Sequence, residues 1–199
     1  MIYQLLIFIS LACSNSIQAT SFGSSSKDLK QPVNFAGKIT THQGQNYIVD
    51  NISINNLYKK IPMYAKPTTD AEPVMNQATK HLEIKLSGNP ATDFVKATID
   101  LDELKEIQVP SPNTVWYYQA KEHQQKIEYI ELIVITKSNT KNSYLLERKT
   151  AIYCDEIDTA GPQEKIIPIS ALQTLTIEGY TYRDTSKNNK ECIPCNEKK

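Results

Sequence analysis

Apolar and polar residues follow a strand-like pattern along several stretches, most clearly in the second half of the chain. Residues 126–136, KIEYIELIVIT, carry apolar side chains on both faces of an extended strand, which is typical of a central, buried strand. A Ser-Asn-Thr-Lys-Asn turn at 138–142 separates it from SYLLERKTAIYCDEI, residues 143–157. Such punctuation predicts that the second stretch returns as one antiparallel partner. On that strand Cys154 shares a face with Ile152 and points inward or lies at the end of the sheet.

The first half of the chain contains weaker strand signals. Residues 35–54 form two apolar arms around His42-Gln43-Gly44-Gln45, and a glycine in that position predicts a β-hairpin. A short strand with period-two apolar residues is predicted at 82–86, ending at Gly88. Residues 59–80 contain three prolines, at 62, 67 and 73. Because proline lacks an amide donor, this region is predicted to be an edge strand or a long loop.

Two eleven-residue stretches share one apolar pattern. IDLDELKEIQV at 99–109 and IPISALQTLTI at 167–177 align without a gap, and all five apolar positions coincide. Their spacing of two, three, three and two predicts a strand, one helical turn and a second strand. The turns are predicted at Asp102–Lys105 and Ser170–Gln173, and the shared pattern suggests an internal duplication.

The predicted fold is mainly β. It is a tandem of two small antiparallel, strongly bent sheets or partly open barrels with single helical turns, or alternatively one fused sheet. The two β modules are expected at 35–110 and 113–182, and a polar, cysteine-containing tail follows at 183–199.

The charge balance narrows the range of partners. The chain of 199 residues has 22 Lys and Arg against 22 Asp and Glu, without a local basic cluster. Because nucleic-acid binding depends on basic surface, nucleic acid is not an expected partner.

The first residues resemble an export signal. The apolar run at 2–12 is too short to span a bilayer as a helix, and a cleavage site after Ala19 is predicted, giving a signal peptide at 1–19. Neither Lys nor Arg precedes the apolar run, which departs from the usual pattern. Cys13 offers an alternative, lipidation after Ser10-Leu11-Ala12, which would attach the protein to a membrane. A flexible leader is expected at 20–32, and the localisation as periplasmic or secreted.

Catalytic, cofactor-binding or metal-binding residues are not predicted. The three histidines, His42, His81 and His123, lie in different predicted segments, and the nucleophile-elbow, zinc-helix and phosphate-loop motifs are absent from the sequence. The acidic groups at Asp100, Asp102 and Glu103 and at Asp155, Glu156 and Asp158 are interpreted as solvated strand faces.

Aromatic residues suggest one binding surface. Trp116, Tyr117 and Tyr118 follow a proline-rich joint between the predicted modules. Clefts between modules are favoured ligand sites, and such side chains combine large contact area with a polar tip. The alternative is that Trp116 belongs to the core.

The cysteines predict one disulfide. Removal of Cys13 leaves three cysteines, and an exported chain is expected to be oxidised. A local bridge between Cys192 and Cys195 is favoured, because the polar tether before the tail does not need to return to Cys154. Cys154 remains the alternative partner.

Two functional hypotheses follow. The first is an exported, non-catalytic module of a bacterial-type cell envelope or secreted fraction. It would bind or assemble with an envelope or extracellular protein or glycan. The second is an exported enzyme or thiol-redox protein that uses Cys154 and the Cys192/Cys195 pair. The absence of a recognisable site favours the first.

Overall fold

A computed structural model describes residues 32–56, 58–120, 125–182 and 191–194, with the backbone alone described at 32–33, 182 and 191–194. It contains fourteen strands and one short helix, α1, at Pro90–Asp93. The strands are β1 Pro32–Thr41, β2 Asn46–Ile54, β3 Lys60–Ala65, β4 Val74–Met75, β5 Leu82–Lys85, β6 Lys96–Asp100, β7 Leu104–Gln108, β8 Thr114–Gln119, β9 Lys126–Thr136, β10 Lys141–Glu147, β11 Ala151–Asp158, β12 Gly161–Pro168, β13 Leu172–Tyr182 and β14 Glu191–Pro194.

One large, bent and unclosed sheet contains all of these strands. Its main path runs β12-β11-β2-β1-β13-β7-β9-β10-β3-β6, and β14, β4, β5 and β8 attach beside it. The mainly β prediction is therefore confirmed, in its fused-sheet form. Strands from the two predicted modules alternate along this path. The boundaries at 35–110 and 113–182 stay a prediction.

The centre of the path has pseudo-two-fold symmetry. The repeated segments pair with each other, so that Ile107 of β7 lies opposite Leu175 of β13, and these residues occupy the same place in the aligned repeats. The symmetry continues outward on both sides. β1 pairs with β13 and forms a hairpin with β2, while β9 pairs with β7 and forms a hairpin with β10.

Equivalent hydrogen bonds extend this correspondence to the turns. His42 N donates to Ala171 O at 3.0 Å, and Lys137 N donates to Glu103 O at 2.9 Å. Both hairpin turns contain one left-handed residue, Gly44 at φ 80° and Asn139 at φ 61°. The two halves of the sheet are therefore built on one plan.

Each half of the sheet draws strands from both halves of the sequence. Half A consists of β1, β2, β11, β12 and β13, and half B consists of β9, β10, β3, β6 and β7. The chain crosses from half A to half B between β2 and β3, and returns between β10 and β11. The two hairpins are thus exchanged between the halves.

Three local predictions need correction. β3 is an interior strand, paired with β10 and β6, so residues 60–65 are neither an edge nor a loop. Residues 143–157 form two strands, because the chain turns at Glu147–Thr150 with a hydrogen bond of 3.0 Å between their backbones. The repeat turns begin two residues earlier than predicted, since their closing hydrogen bonds run from Glu103 N to Asp100 O and from Ala171 N to Pro168 O.

Two apolar clusters stabilise the sheet. The main core contains all ten apolar positions of the repeat, each at most 8% exposed. The second core consists of Ile84, Leu86, Trp116, Tyr129 and Leu145. It lies where the segment between β3 and β6, together with β8, covers one face of half B.

Candidate ligand cleft and its polar counterpart

Pro62 ends the ladder between β3 and β10. The two strands pair at Tyr144 with Ala65 and at Leu145 with Tyr64. The next ladder hydrogen bond would need an N–H from Pro62, which proline lacks. The carbonyl of Glu147 accepts instead from the N–H of Thr150 at 3.0 Å. The strands therefore separate beyond Tyr64.

An opening of about 330 Å³ lies where the strands separate, and we call it the apolar cleft. Met63 and Leu146, which are 2% and 4% exposed, belong both to its lining and to the main core. Charged side chains also line it, and two of them, Lys149 and Glu147, form an ion pair of 2.7 Å. The lining residues are Asn55, Pro62, Met63, Tyr64, Lys96, Ala97, Thr98, Leu146, Glu147, Lys149 and Thr150.

Half A contains a smaller opening at the equivalent place, which we call the polar cleft. Its volume is about 240 Å³, and it is lined by Asn51, Ser53, Asn56, Lys59, Tyr153, Cys154, Asp155 and Glu164. The pseudo-two-fold symmetry places these residues over those of the apolar cleft. Pro62 corresponds to Tyr153, Met63 to Cys154, Tyr64 to Asp155, and Lys96 to Glu164.

The two clefts differ because the ladder continues in half A. Tyr153 carries the N–H that Pro62 lacks, and it pairs with Ser53. A register shift lies between Tyr153 and Asp155, and Asn51 opposite has a φ of 51°. In half A the bulge accommodates the change of register, so that β11 and β2 stay paired. In half B the ladder ends at Tyr64, and the strands leave a gap.

Cys154 is a poor nucleophile in its position. It is a free thiol, 3% exposed, and its Sγ donates to Lys165 O at 3.9 Å. Burial, with further contributions from Asp155 and Glu156, raises the pKa of Cys154 to about 11. Because the thiolate is the reactive form, the raised pKa and the burial disfavour a nucleophilic role for this cysteine at neutral pH.

The predicted disulfide and processing sites lie largely outside the described residues. This applies to Ala19, Cys13 and Cys195, while only the backbone of Cys192 is described, in β14. The disulfide, the cleavage site and the lipidation alternative stay predictions.

The aromatic group after the joint is partly buried. Trp116 is 4% exposed and belongs to the second core, while Tyr117 and Tyr118 are half-buried. Cations cover two of the rings, with Lys66 Nζ 5.2 Å from the ring centre of Trp116 and Lys126 Nζ 4.6 Å from that of Tyr117. A binding surface here stays a prediction, and its accessible part is the two tyrosines.

A chain of ion pairs ties the covering segment to the sheet. Lys126 Nζ lies 2.7 Å from Glu83 and 3.3 Å from Glu128, and Arg148 lies 2.8 Å from Glu128. The hydrogen bond from Lys126 lowers the pKa of Glu83, with a further bond from Asn76. These charges neutralise one another, so the network stabilises the attachment of β5 to β9.

The remaining polar groups are dispersed. Asp100 pairs with Lys60 at 3.1 Å, His42 lies in the first hairpin turn, and His123 falls outside the described residues. Among the residues that the structure describes, no cluster of three or more His, Cys, Asp or Glu is arranged to hold a metal ion. Within the same ranges, no helix is long and apolar enough to cross a membrane.

Sequence reasoning missed the apolar cleft. The available signal was Pro62 between Ile61 and Met63, a proline flanked by core residues on what proves to be an interior strand. Recognising the cleft also required the pairing of β3 with β10, which lie far apart in sequence.

Comparison with protein-family models, with curated proteins and with solved structures finds no match. The function is therefore inferred from the geometry of the site.

Proposed function

We propose that the protein is an exported, non-catalytic binding module whose ligand occupies the apolar cleft. The cleft supports this proposal by its volume of about 330 Å³ and by its buried lining residues Met63 and Leu146. Ligand sites in proteins are typically apolar cavities of about 300–1,000 Å³ with a few polar groups that orient the ligand. Lys96, Glu147 and Lys149 are suited to the second role.

The observation that carries the proposal is the difference between the two clefts. One architecture occurs twice in the chain, yet only half B has a proline at the position where the ladder would close. Proline in an interior strand costs a hydrogen bond and is rare there. A larger opening with an apolar floor, where the counterpart is smaller and polar, is expected of a binding site.

Export is the part of the proposal that rests on the sequence. The apolar run at 2–12 and the cleavage site after Ala19 support a periplasmic or secreted location. An envelope or extracellular protein or glycan is then the expected ligand. The alternative of a thiol-redox protein has less support, because the pKa of Cys154 is raised to about 11 and the thiol is buried.

Methyl NMR tests the cleft directly. The chain has three methionines, Met1, Met63 and Met75, so ¹³C-methyl labelling gives a sparse spectrum. Titration with the apolar anion 1-anilinonaphthalene-8-sulfonate is expected to shift the Met63 signal and to leave that of Met75, which is 45% exposed on β4.

Two variants make this test specific. Ala97→Leu fills the apolar cleft and is expected to weaken probe binding at least tenfold. Glu164→Leu adds the same side chain beside the polar cleft and is expected to leave probe binding unchanged. A Met63 signal that does not respond to the probe, or equal affinities in the two variants, would count against the proposal.

A further inference from the structure

The outer edge of β6 carries backbone groups that are not used by the sheet. Leu101 N donates to Lys59 O at 2.9 Å, and Ala65 N donates to Val95 O at 2.8 Å. In an antiparallel ladder these bonds alternate along the strand, so the odd-numbered residues of this segment face β3. The N–H and C=O groups of Lys96 and Thr98 therefore point away from the sheet.

The equivalent edge of half A is protected. Ile169 N donates to Thr150 O at 3.0 Å, which places the even-numbered residues of β12 on the free edge. Two of these are Pro162 and Pro168, and proline at a free edge blocks the addition of another strand. At the matching positions of half B the chain has Phe94 and Asp100. Only β12 is protected in this way.

The free edge of β6 adjoins the apolar cleft. Lys96, Ala97 and Thr98 belong to β6 and also line the cleft. Val95, directly before the strand, is 72% exposed and offers further apolar contact. In strand addition, main-chain hydrogen bonds supply affinity and neighbouring pockets select side chains. Both elements are present at this edge.

Charge favours an acidic segment. Asp100 is held by Lys60 at 3.1 Å, which neutralises the acidic end of β6. The cleft lining contains Lys96 and Lys149 against one carboxylate, Glu147. The lining of the cleft beside this edge is therefore net positive.

We propose that the ligand is an extended polypeptide segment that adds to β6 as a further strand, places an apolar side chain in the apolar cleft and sets an acidic residue near Lys96. This rests on the proposed function and specifies its ligand class. The ladder at Lys96 and Thr98 supplies the affinity, and the cleft and its charges supply the selectivity.

A phage-displayed library of random octapeptides, panned against the full chain, provides the probe. We expect enrichment of sequences that combine acidic and apolar residues. A synthetic peptide from this set should bind with an affinity measurable by fluorescence anisotropy. Methylation of alternate backbone nitrogens should weaken it at least tenfold in one of the two registers, because those amides donate to the edge.

A pair of proline variants uses the symmetry of the fold as its control. Thr98→Pro removes the outward N–H without touching the bonds to β3, and should weaken peptide binding at least tenfold. Ile166→Pro makes the same change at the equivalent position of β12 and should leave affinity unchanged. Circular dichroism verifies that both variants fold.

Three outcomes would overturn strand addition. Panning without any enriched sequence excludes a peptide ligand, and concentration-dependent dimerisation sensitive to Thr98→Pro would assign the edge to a second copy of the chain. Peptide binding that is lost in Ala97→Leu but indifferent to Thr98→Pro and N-methylation would leave the cleft as a ligand site. Strand addition would then be wrong while the proposed function stands.

Discussion

At the scale of single residues, equivalent positions have diverged toward different chemistry. Met63 and Cys154 both fill core positions that are 2% and 3% exposed, yet one lies in the apolar cleft and the other in the polar cleft. The sequence allowed two positions for Cys154, pointing inward or at the end of the sheet, and the structure shows the inward one. The sequence could not give the thiol's surroundings, which come from distant strands.

Alkaline pH should destabilise the protein partly through Cys154. Its pKa rises from 9.0 in the unfolded reference to about 11 in the fold. The stabilisation that comes from the protonated thiol is therefore complete below pH 9 and is lost as the pH rises toward 11. By pH 10 the free energy of unfolding has fallen by about 1.4 kcal/mol. In urea denaturation, Cys154→Ala should lose less stability between pH 7.5 and 10 than the parent.

The matched control is Tyr129→Phe, because burial raises the pKa of Tyr129 to about 12 and its effect begins only above pH 10. Identical pH profiles for the parent and Cys154→Ala would show that the thiol titrates as it does in the unfolded chain.

Two glycines should respond very differently to alanine. A Cβ on Gly37 would lie 1.9 Å from the carbonyl oxygen of Thr176, so β1 and β13 would have to separate. We expect Gly37→Ala to cost about 3 kcal/mol or more of unfolding free energy. Gly44 has open space but a φ of 80°, and Gly44→Ala should cost about 1 kcal/mol.

Chemical denaturation of both variants measures the difference. A Gly37→Ala protein as stable as Gly44→Ala would mean that the close approach of the two strands relaxes freely.

At the scale of elements, local patterns predicted what is local. The hairpins β1–β2 and β9–β10 and the turns of the repeat follow from alternation, turn residues and apolar spacing. The interior position of β3 did not, because Pro62 disfavours such a strand and the pairing partner lies in β10. The apolar cleft escaped prediction for the same reason, since it forms between elements that are distant in sequence.

Replacing Pro62 by the residue of its counterpart should close the apolar cleft. Pro62→Tyr copies Tyr153 and supplies the missing N–H beside Glu147. The new hydrogen bond adds about 1 kcal/mol, and the loss of proline makes the unfolded chain freer by about 0.4–1 kcal/mol. Stability should therefore change little, while binding of the anilinonaphthalene probe falls at least tenfold.

Hydrogen exchange gives an independent readout of this closure. The new amide at position 62 should exchange slowly if the ladder extends. Rapid exchange together with unchanged probe binding would show that the proline does not hold the cleft open.

At the scale of the whole molecule, the exchanged hairpins interlock the two parts of the chain. The hairpin β1–β2 belongs to half A, while β3, β6 and β7, which follow it, belong to half B. A specific protease site inserted between Ser111 and Pro112 would divide the chain into one piece that ends after β7 and a second piece that begins before β8. After cleavage we expect both pieces to elute together in buffer and to separate only in denaturant.

Size-exclusion chromatography with and without 6 M guanidinium makes this comparison. Pieces that separate in buffer alone would contradict the interlocked arrangement. An uncut sample with the same insertion controls for damage by the insertion itself.

The exchange also fixes an order of events during folding. Val49 of β2 lies opposite Glu156 of β11, so the first hairpin finds its outer neighbour only when most of the chain exists. Such distant pairings raise contact order and slow folding, typically into the millisecond-to-second range. Until then both edges of the first hairpin stay open, because β1 pairs with β13, which is later still in the chain, and in this period the nascent chain is most exposed to aggregation.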